Sequence, residues 1–180
     1  TSRFFNTEMG KPDGNLNQSF NINLLLHVCL AFIILVMAEV IGLWYIHNKL
    51  NIETGKLDDA VFVYHISILT ACLGIINGPY QSLFVSHERF GFLAVLDIVN
   101  SIVRLFAILL LSQYQGVYAL RIYAAIMSLT TVNTFVVFHY VAHRDWAEII
   151  RLRIVKGWKL YQDVLVFSNW NLLATMSYMA

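Results

Sequence analysis

The chain has 180 residues, of which 58% are hydrophobic and 13% are charged, and its formal net charge is +1. Soluble domains contain about 45–50% apolar and about 25% charged residues, so this composition excludes an ordinary water-soluble domain. We expect the lipid bilayer to be the main partner of the chain, and we expect no nucleic-acid partner.

Five apolar runs follow one another along the sequence, at residues 20–46, 60–85, 90–111, 117–141 and 164–180. A helix needs roughly 20 residues to cross the hydrocarbon layer, and each of the first four runs is long enough. Segments of alternating polarity, about ten residues long, would indicate a transmembrane barrel, and the sequence has none. The sequence therefore predicts an all-α, polytopic transmembrane bundle with about four complete spans plus a truncated one. We expect an internal fragment, because residue 1 is Thr and the fifth run stops at "SYMA".

The positive charges divide unevenly between alternate loops. One side has only Lys49 and Lys56, with Arg121 just inside the next span, and Arg104 lies within a span. The other side has the remaining eight: Arg3, Lys11, Arg89, Arg144, Arg151, Arg153, Lys156 and Lys159. Positive residues concentrate on the cytoplasmic side of membrane proteins, so the side with eight is predicted to be cytoplasmic.

The connector after the fourth run mixes basic and apolar residues, for example in "RDWAEIIRLRIVK" at 144–156. Such a pattern is typical of a helix that lies in the cytoplasmic headgroup layer. It could bind anionic lipid as a functional device, or it could only link two halves of a bundle. We favour the linker interpretation.

The first two spans each contain an ionisable residue, Glu39 and His65 respectively. The second span also contains Gly78 and Pro79. Proline removes a backbone hydrogen bond and glycine loosens the same turn, so we expect a kink there. Bent helices often border substrate paths in transporters, although a proline can also simply bend a packed helix.

The third span has the most prominent chemical signal, a polar stripe formed by Asp97, Asn100, Ser101 and Arg104. Residues three, four and seven apart share one face of a helix, so these four side chains should lie together. Asp97 and Arg104 are about 10 Å apart along the axis, which is too far for a direct ion pair on a straight helix. Each therefore needs water or a partner on another helix.

Two interpretations of this stripe are open. The charges could pair with polar groups on neighbouring helices and fix their packing, with Glu39, His65 and Asn77 as the partners at similar depth. The stripe could instead line a polar substrate cavity in which Arg104 meets an anionic group. We favour the cavity, because four polar positions on one face exceed what one packing contact requires.

Four strings give the chain a resemblance to a known family: "TSRFFNTEMGK" (1–11), "AEVIGLWYIHNKLNI" (38–52), "PYQSLFVSHERF" (79–90) and "FSNWNLL" (167–173). They resemble the bacterial polysaccharide-export, or O-antigen flippase, family of the multidrug/oligosaccharidyl-lipid/polysaccharide exporter superfamily. The resemblance implies a two-lobed exporter of the bacterial inner membrane. Residues 1–143 would then belong to the N-terminal lobe, 144–160 to a cytoplasmic inter-lobe connector and 161–180 to the start of the second lobe.

The resemblance implies transport rather than enzymatic catalysis, with no cofactor. An undecaprenyl-pyrophosphate-linked sugar unit would cross the membrane by alternating access. A cation-coupled multidrug antiporter is the closest alternative, with H⁺ or Na⁺ bound at an intramembrane carboxylate such as Asp97 or Glu39. A membrane-embedded glycan-modifying enzyme is a weaker alternative, because the outer loops are short and offer no catalytic residues. His139 and His143 are four residues apart, but no carboxylate accompanies them, so we expect no metal site.

The charge distribution predicts which loops reach the outer face of the membrane. A cysteine placed at Thr54 should react with a membrane-impermeant thiol reagent added to intact cells, and one at Glu148 should not. Labelling of Glu148→Cys together with protection of Thr54→Cys would reverse the topology.

Overall fold

The computed structural model describes residues 2–11, 14–50, 55–113, 118–153 and 161–162. Within these ranges the chain is helical and has no β-strand. In chain order the helices are α1 (Ser2–Met9), α2 (Leu16–Met37), a π-helical turn (Ala38–Gly42), α3 (Leu43–Asn48), α4 (Leu57–Ser86), α5 (Phe90–Gln113) and α6 (Ala119–Ile150). Helix α2, the π-helical turn and α3 form one continuous rod.

Within the described ranges, four helical segments are long and apolar enough to cross a membrane, with 33, 30, 24 and 32 residues. They are Leu16–Asn48, Leu57–Ser86, Phe90–Gln113 and Ala119–Ile150. The prediction of an all-α polytopic bundle is confirmed, and the chain is a multi-pass membrane protein. The predicted fifth span at 164–180 lies outside the described residues, as do parts of two predicted loops (51–54 and 114–117) and of the connector (154–160).

The main packed core lies where the start of α2 meets the ends of α4 and α6. It consists of Phe5, Phe20, Tyr80, Leu83, Phe84, Phe138, Ala142 and Ile150. The Phe84 ring is at its centre, with ring centroids 4.9 Å from Phe92, 5.0 Å from Phe138 and 5.1 Å from Trp146. By the charge pattern this core lies at the predicted cytoplasmic end. Helix α4 packs mainly against α2 and α6, whereas α5 packs mainly against α6.

The tight turn between α4 and α5 is tied to the end of α6. Glu88 adopts a left-handed backbone conformation with φ 56°, which lets the chain reverse between the two helices. The next residue, Arg89, donates to the Asp145 carboxylate at 2.5 Å, and its guanidinium lies 4.9 Å from the Trp146 ring centroid. Arg144 also donates to Asp145, at 2.8 Å. This cluster of charges and rings holds the predicted cytoplasmic turn against α6.

Helix α6 changes direction near its end, because Trp146 has non-helical dihedral angles (φ −138°, ψ 41°). The segment after the break carries apolar side chains back to the core: Trp146 and Ile149 pack against the core, and Ile150 is buried in it. Residues 144–150, the first part of the predicted headgroup-layer connector, are thus the last turns of α6. Their apolar side chains contact the packed core of the bundle.

Two asparagines of α2 complete the end of α6. The Asn17 side-chain amide donates to the carbonyl oxygens of Glu148, Ile149 and Arg151 at 3.0, 2.8 and 2.7 Å. Asn21 donates to the Arg151 carbonyl at 3.0 Å and accepts from the Arg153 backbone N–H at 2.9 Å. The last carbonyls of a helix have no partner within the helix, so these amides replace the missing donors.

Helix α4 is not interrupted at the predicted kink, since helical residues run from Leu57 to Ser86 through Gly78 and Pro79. The Pro79 side chain is fully buried. Gly78 serves close packing: a Cβ there would lie 3.0 Å from the His27 ring of α2. A bend of the helix axis at these residues stays a prediction, but the helical conformation is unbroken.

Replacing Asn17 with Ala should lower the free energy of unfolding by about 0.5–1.5 kcal/mol, because the carbonyls of Glu148 and Ile149 lose this donor, whereas Arg151 keeps its bond from Asn21. Denaturant titration of the purified protein in detergent micelles measures this difference. Asn48→Ala is the matched control: among the described residues, the exposed Asn48 amide donates to the Trp44 carbonyl of its own helix alone, at 2.8 Å. An equal loss in the two variants would contradict the capping role of Asn17.

Candidate functional site

The polar stripe of α5 is divided by its contact with α6. Asn100 is buried, and its side-chain amide donates to the Thr134 hydroxyl of α6 at 2.8 Å. Two helical turns further along, Ala107 is also buried. Its small side chain allows the two helices to approach closely. Asn100 and Ala107 therefore form the contact line of α5, and Asn100 has a packing role.

The other three residues of the stripe lie beside this contact line and are exposed: Asp97, Ser101 and Arg104. The Ser101 hydroxyl donates to the Asp97 backbone carbonyl at 2.7 Å, one turn earlier in the same helix. Asp97 and Ser101 line an open groove together with Ile98, Ile102 and Leu105. Within the described part of the chain, neither the Asp97 carboxylate nor the Arg104 guanidinium has an ion-pair partner.

None of the three partners considered from the sequence reaches the stripe. Glu39 and His65 contact each other, and Asn77 is buried in α4 with no hydrogen-bond partner for its Oδ1 atom among the described residues. A charge exposed to lipid at the centre of a span costs about 2.5–3.5 kcal/mol. Asp97 and Arg104 therefore require water, a bound molecule or another protein surface alongside α5.

Glu39 and His65 form a second polar site, between the first two spans. The His65 Nε2 atom lies 3.4 Å from Glu39 Oε2. Both side chains are partly exposed, with 42% of His65 and 37% of Glu39 accessible. The other ring nitrogen of His65, Nδ1, is 2.8 Å from the Val61 carbonyl oxygen of its own helix. The bond of Nδ1 to the Val61 carbonyl therefore holds the ring in one orientation, with Nε2 near the carboxylate.

Glu39 belongs to the π-helical turn, which was not predicted from the sequence. The Tyr64 hydroxyl of α4 donates to the Ala38 carbonyl of this turn at 2.6 Å. Gly42, at the end of the turn, makes room for it, because a Cβ at Gly42 would overlap the Tyr64 hydroxyl. Single π-helical turns inside α-helices occur frequently at functional sites. The only signal in the sequence was a carboxylate close to a glycine within an apolar run.

Two further polar contacts join α4 to α6. Near the predicted outer end, Asp59 forms an ion pair with Arg121, whose guanidinium also lies over the Phe62 ring. Deeper in the bundle, Nδ1 of His139 is 3.2 Å from the Tyr80 hydroxyl. The rings of His139 and His143 are 4.5 Å apart, and no group of three potential metal ligands occurs in the described ranges.

Comparisons with known proteins leave the family open: no protein-family model matches the chain, and no curated protein or solved structure is significantly similar to it.

The bond between Asn100 and Thr134 should contribute to the attachment of α5 to α6. A double-mutant cycle with Asn100→Ala and Thr134→Val should give a coupling free energy of about 0.6 kcal/mol, and at most about 1.7 kcal/mol, as for other interhelical hydrogen bonds in membranes. Ser101→Ala, combined with Thr134→Val, is the control, since in the described part of the chain the Ser101 hydroxyl bonds only within α5. A coupling energy of zero for Asn100 and Thr134 would contradict this contact.

Proposed function

We propose that this chain is part of a bacterial inner-membrane exporter that moves a lipid-linked oligosaccharide to the outer leaflet by alternating access. The observation that carries the proposal is the exposed pair of charges on α5, Asp97 and Arg104, which have no ion-pair partner among the described residues. The substrate class rests on the sequence resemblance alone.

The position of Arg104 supports a transport path beside α5. It lies 14 residues from the start of α5 and nine from its end, so it is deep within the span. A guanidinium is always charged, and it binds the oxygens of a phosphate with two parallel hydrogen bonds. In a region of low dielectric constant its attraction for an anion is much stronger than in water. A pyrophosphate headgroup that passes α5 would meet this charge.

The remainder of the stripe supplies weaker polar contacts on the same side of α5. The Ser101 hydroxyl and the Asp97 carboxylate line one groove, in which they could bind sugar hydroxyl groups. Asn100 is buried and its side-chain amide donates to Thr134, so it is not available to a substrate. The proposed path therefore uses Asp97, Ser101 and Arg104, and Asn100 sets the rotation of α5 that presents them.

A cation-coupled multidrug antiporter is the second candidate, and the contact between Glu39 and His65 favours it. An antiporter needs an intramembrane group that exchanges a cation for substrate, and a partly exposed carboxylate beside a histidine has the required chemistry. Loss of surface polysaccharide on gene deletion would favour the exporter, whereas acquired drug resistance on expression would favour the antiporter.

Arg104→Gln should abolish polysaccharide export while membrane abundance stays normal, because Arg104 is exposed and its removal leaves no described carboxylate without its partner. Arg104→Lys should retain part of the export, since the charge survives and the bidentate geometry is lost. Export is measured by complementation of a deletion strain, and abundance by immunoblotting of membranes.

Arg121→Gln is the matched control for this experiment. It removes the partner of Asp59, so it should lower the membrane abundance of the protein. Export should fall only in proportion to that loss of abundance. Low abundance of Arg104→Gln, restored by the additional change Asp97→Asn, would assign Arg104 to packing and overturn its proposed role in transport.

A further inference from the structure

We propose that Glu39 and His65 form a proton-binding site within the membrane, in which one exchangeable proton lies between the two side chains. The first observation is the hydrogen bond of His65 Nδ1 to the Val61 carbonyl, at 2.8 Å. A carbonyl oxygen only accepts hydrogen bonds, so Nδ1 must carry a hydrogen. The tautomer of His65 follows from this partner.

The second observation concerns the other ring nitrogen. In a neutral ring with a hydrogen on Nδ1, Nε2 has a lone pair and no hydrogen. Nε2 lies 3.4 Å from Glu39 Oε2, and an ionised carboxylate also offers only lone pairs. Two acceptor atoms this close to each other repel. One added proton removes the repulsion, either as an imidazolium beside a carboxylate or as a carboxylic acid that donates to the ring.

The third observation is that the fold holds the two groups at this distance. Glu39 lies in the π-helical turn, which is fixed by the hydrogen bond from Tyr64 to Ala38 and by the space at Gly42. His65 follows Tyr64 directly on α4 and is bonded to its own helix. The same pair of adjacent residues on α4 thus contacts both the backbone and the carboxylate of the turn.

Among the described residues, Glu39 has no ion-pair partner other than His65. The Tyr64 hydroxyl, beside the turn, donates to the Ala38 carbonyl. Nearer the start of α4, Asp59 is paired with Arg121 of α6. Within the described residues the proton on the Glu39–His65 pair is therefore the positive charge available to the carboxylate. This site does not depend on which molecule the protein transports.

The test is nuclear magnetic resonance of the full-length protein in lipid nanodiscs, with ¹⁵N-labelled histidine and with His65→Gln used to assign the His65 signals. At neutral pH, Nδ1 of His65 should carry a hydrogen, and Nε2 should show either its own proton or a strong hydrogen bond from Glu39. In Glu39→Gln, Nε2 should lose the signature of the shared proton. Asp97→Asn is the control, because it removes an intramembrane carboxylate that has no histidine partner, and it should leave the His65 signals unchanged.

Two outcomes would overturn the proton site. One is a His65 ring with a bare Nδ1, or an Nε2 signal that is identical in the wild-type protein and in Glu39→Gln. The other is a change of the wild-type His65 signals on addition of Na⁺ at constant pH, which would place a metal cation between the two side chains.

The role of the π-helical turn is tested with Tyr64→Phe and Gly42→Ala. Both variants keep Glu39 and His65 but weaken the contact that fixes the turn. The NMR signals of His65 should therefore resemble those of His65 in Glu39→Gln. Signals of the other histidines report whether each variant is folded, and Tyr64→Phe, which removes only a hydroxyl, is the milder change. Wild-type His65 signals in folded protein of either variant would show that the turn does not position the site.

Discussion

Polar groups have no water to bind inside the hydrocarbon layer, so nearly every one of them must find a partner within the protein. The structure meets this requirement mostly within single helices: the hydroxyl groups of Ser67, Thr70 and Thr134 each donate to the carbonyl one turn earlier. Where the backbone pattern ends, other helices supply the partner. Asn17 and Asn21 of α2 complete the end of α6, and Tyr64 of α4 donates to the π-helical turn. These contacts set which helices lie side by side.

The few ionisable groups in the spans meet the same requirement in different ways. Asp59 and Arg121 form an ion pair across α4 and α6. The Glu39 carboxylate and the His65 ring lie 3.4 Å from each other. Asp97 and Arg104 have no such partner among the described residues, and both are exposed beside the contact line of α5. An unpaired charge deep in a span is costly and needs something polar beside it. The proposed transport path runs beside α5 for this reason.

The packed core and the polar sites lie in different parts of the bundle. Aromatic rings around Phe84, together with the ion pairs of Asp145, join α4, α5 and α6 at the predicted cytoplasmic end. Glu39 and His65 lie toward the ends of their helices that are away from this core, and Asp97 and Arg104 lie along α5.

The sequence by itself determined the helical class and the four spans, because hydropathy over about 20 residues responds to the bilayer and needs no information on neighbouring helices. It also determined that Asp97, Asn100, Ser101 and Arg104 share a side of α5, since helical periodicity is local. Only the tertiary structure decided that Asn100 turns to Thr134 while Arg104 stays exposed, that Glu39 meets His65, and that a π-helical turn lies between α2 and α3. Those features depend on the rotation and register of one helix against another. A shift of the register, or a rotation, by one residue position brings different side chains into contact.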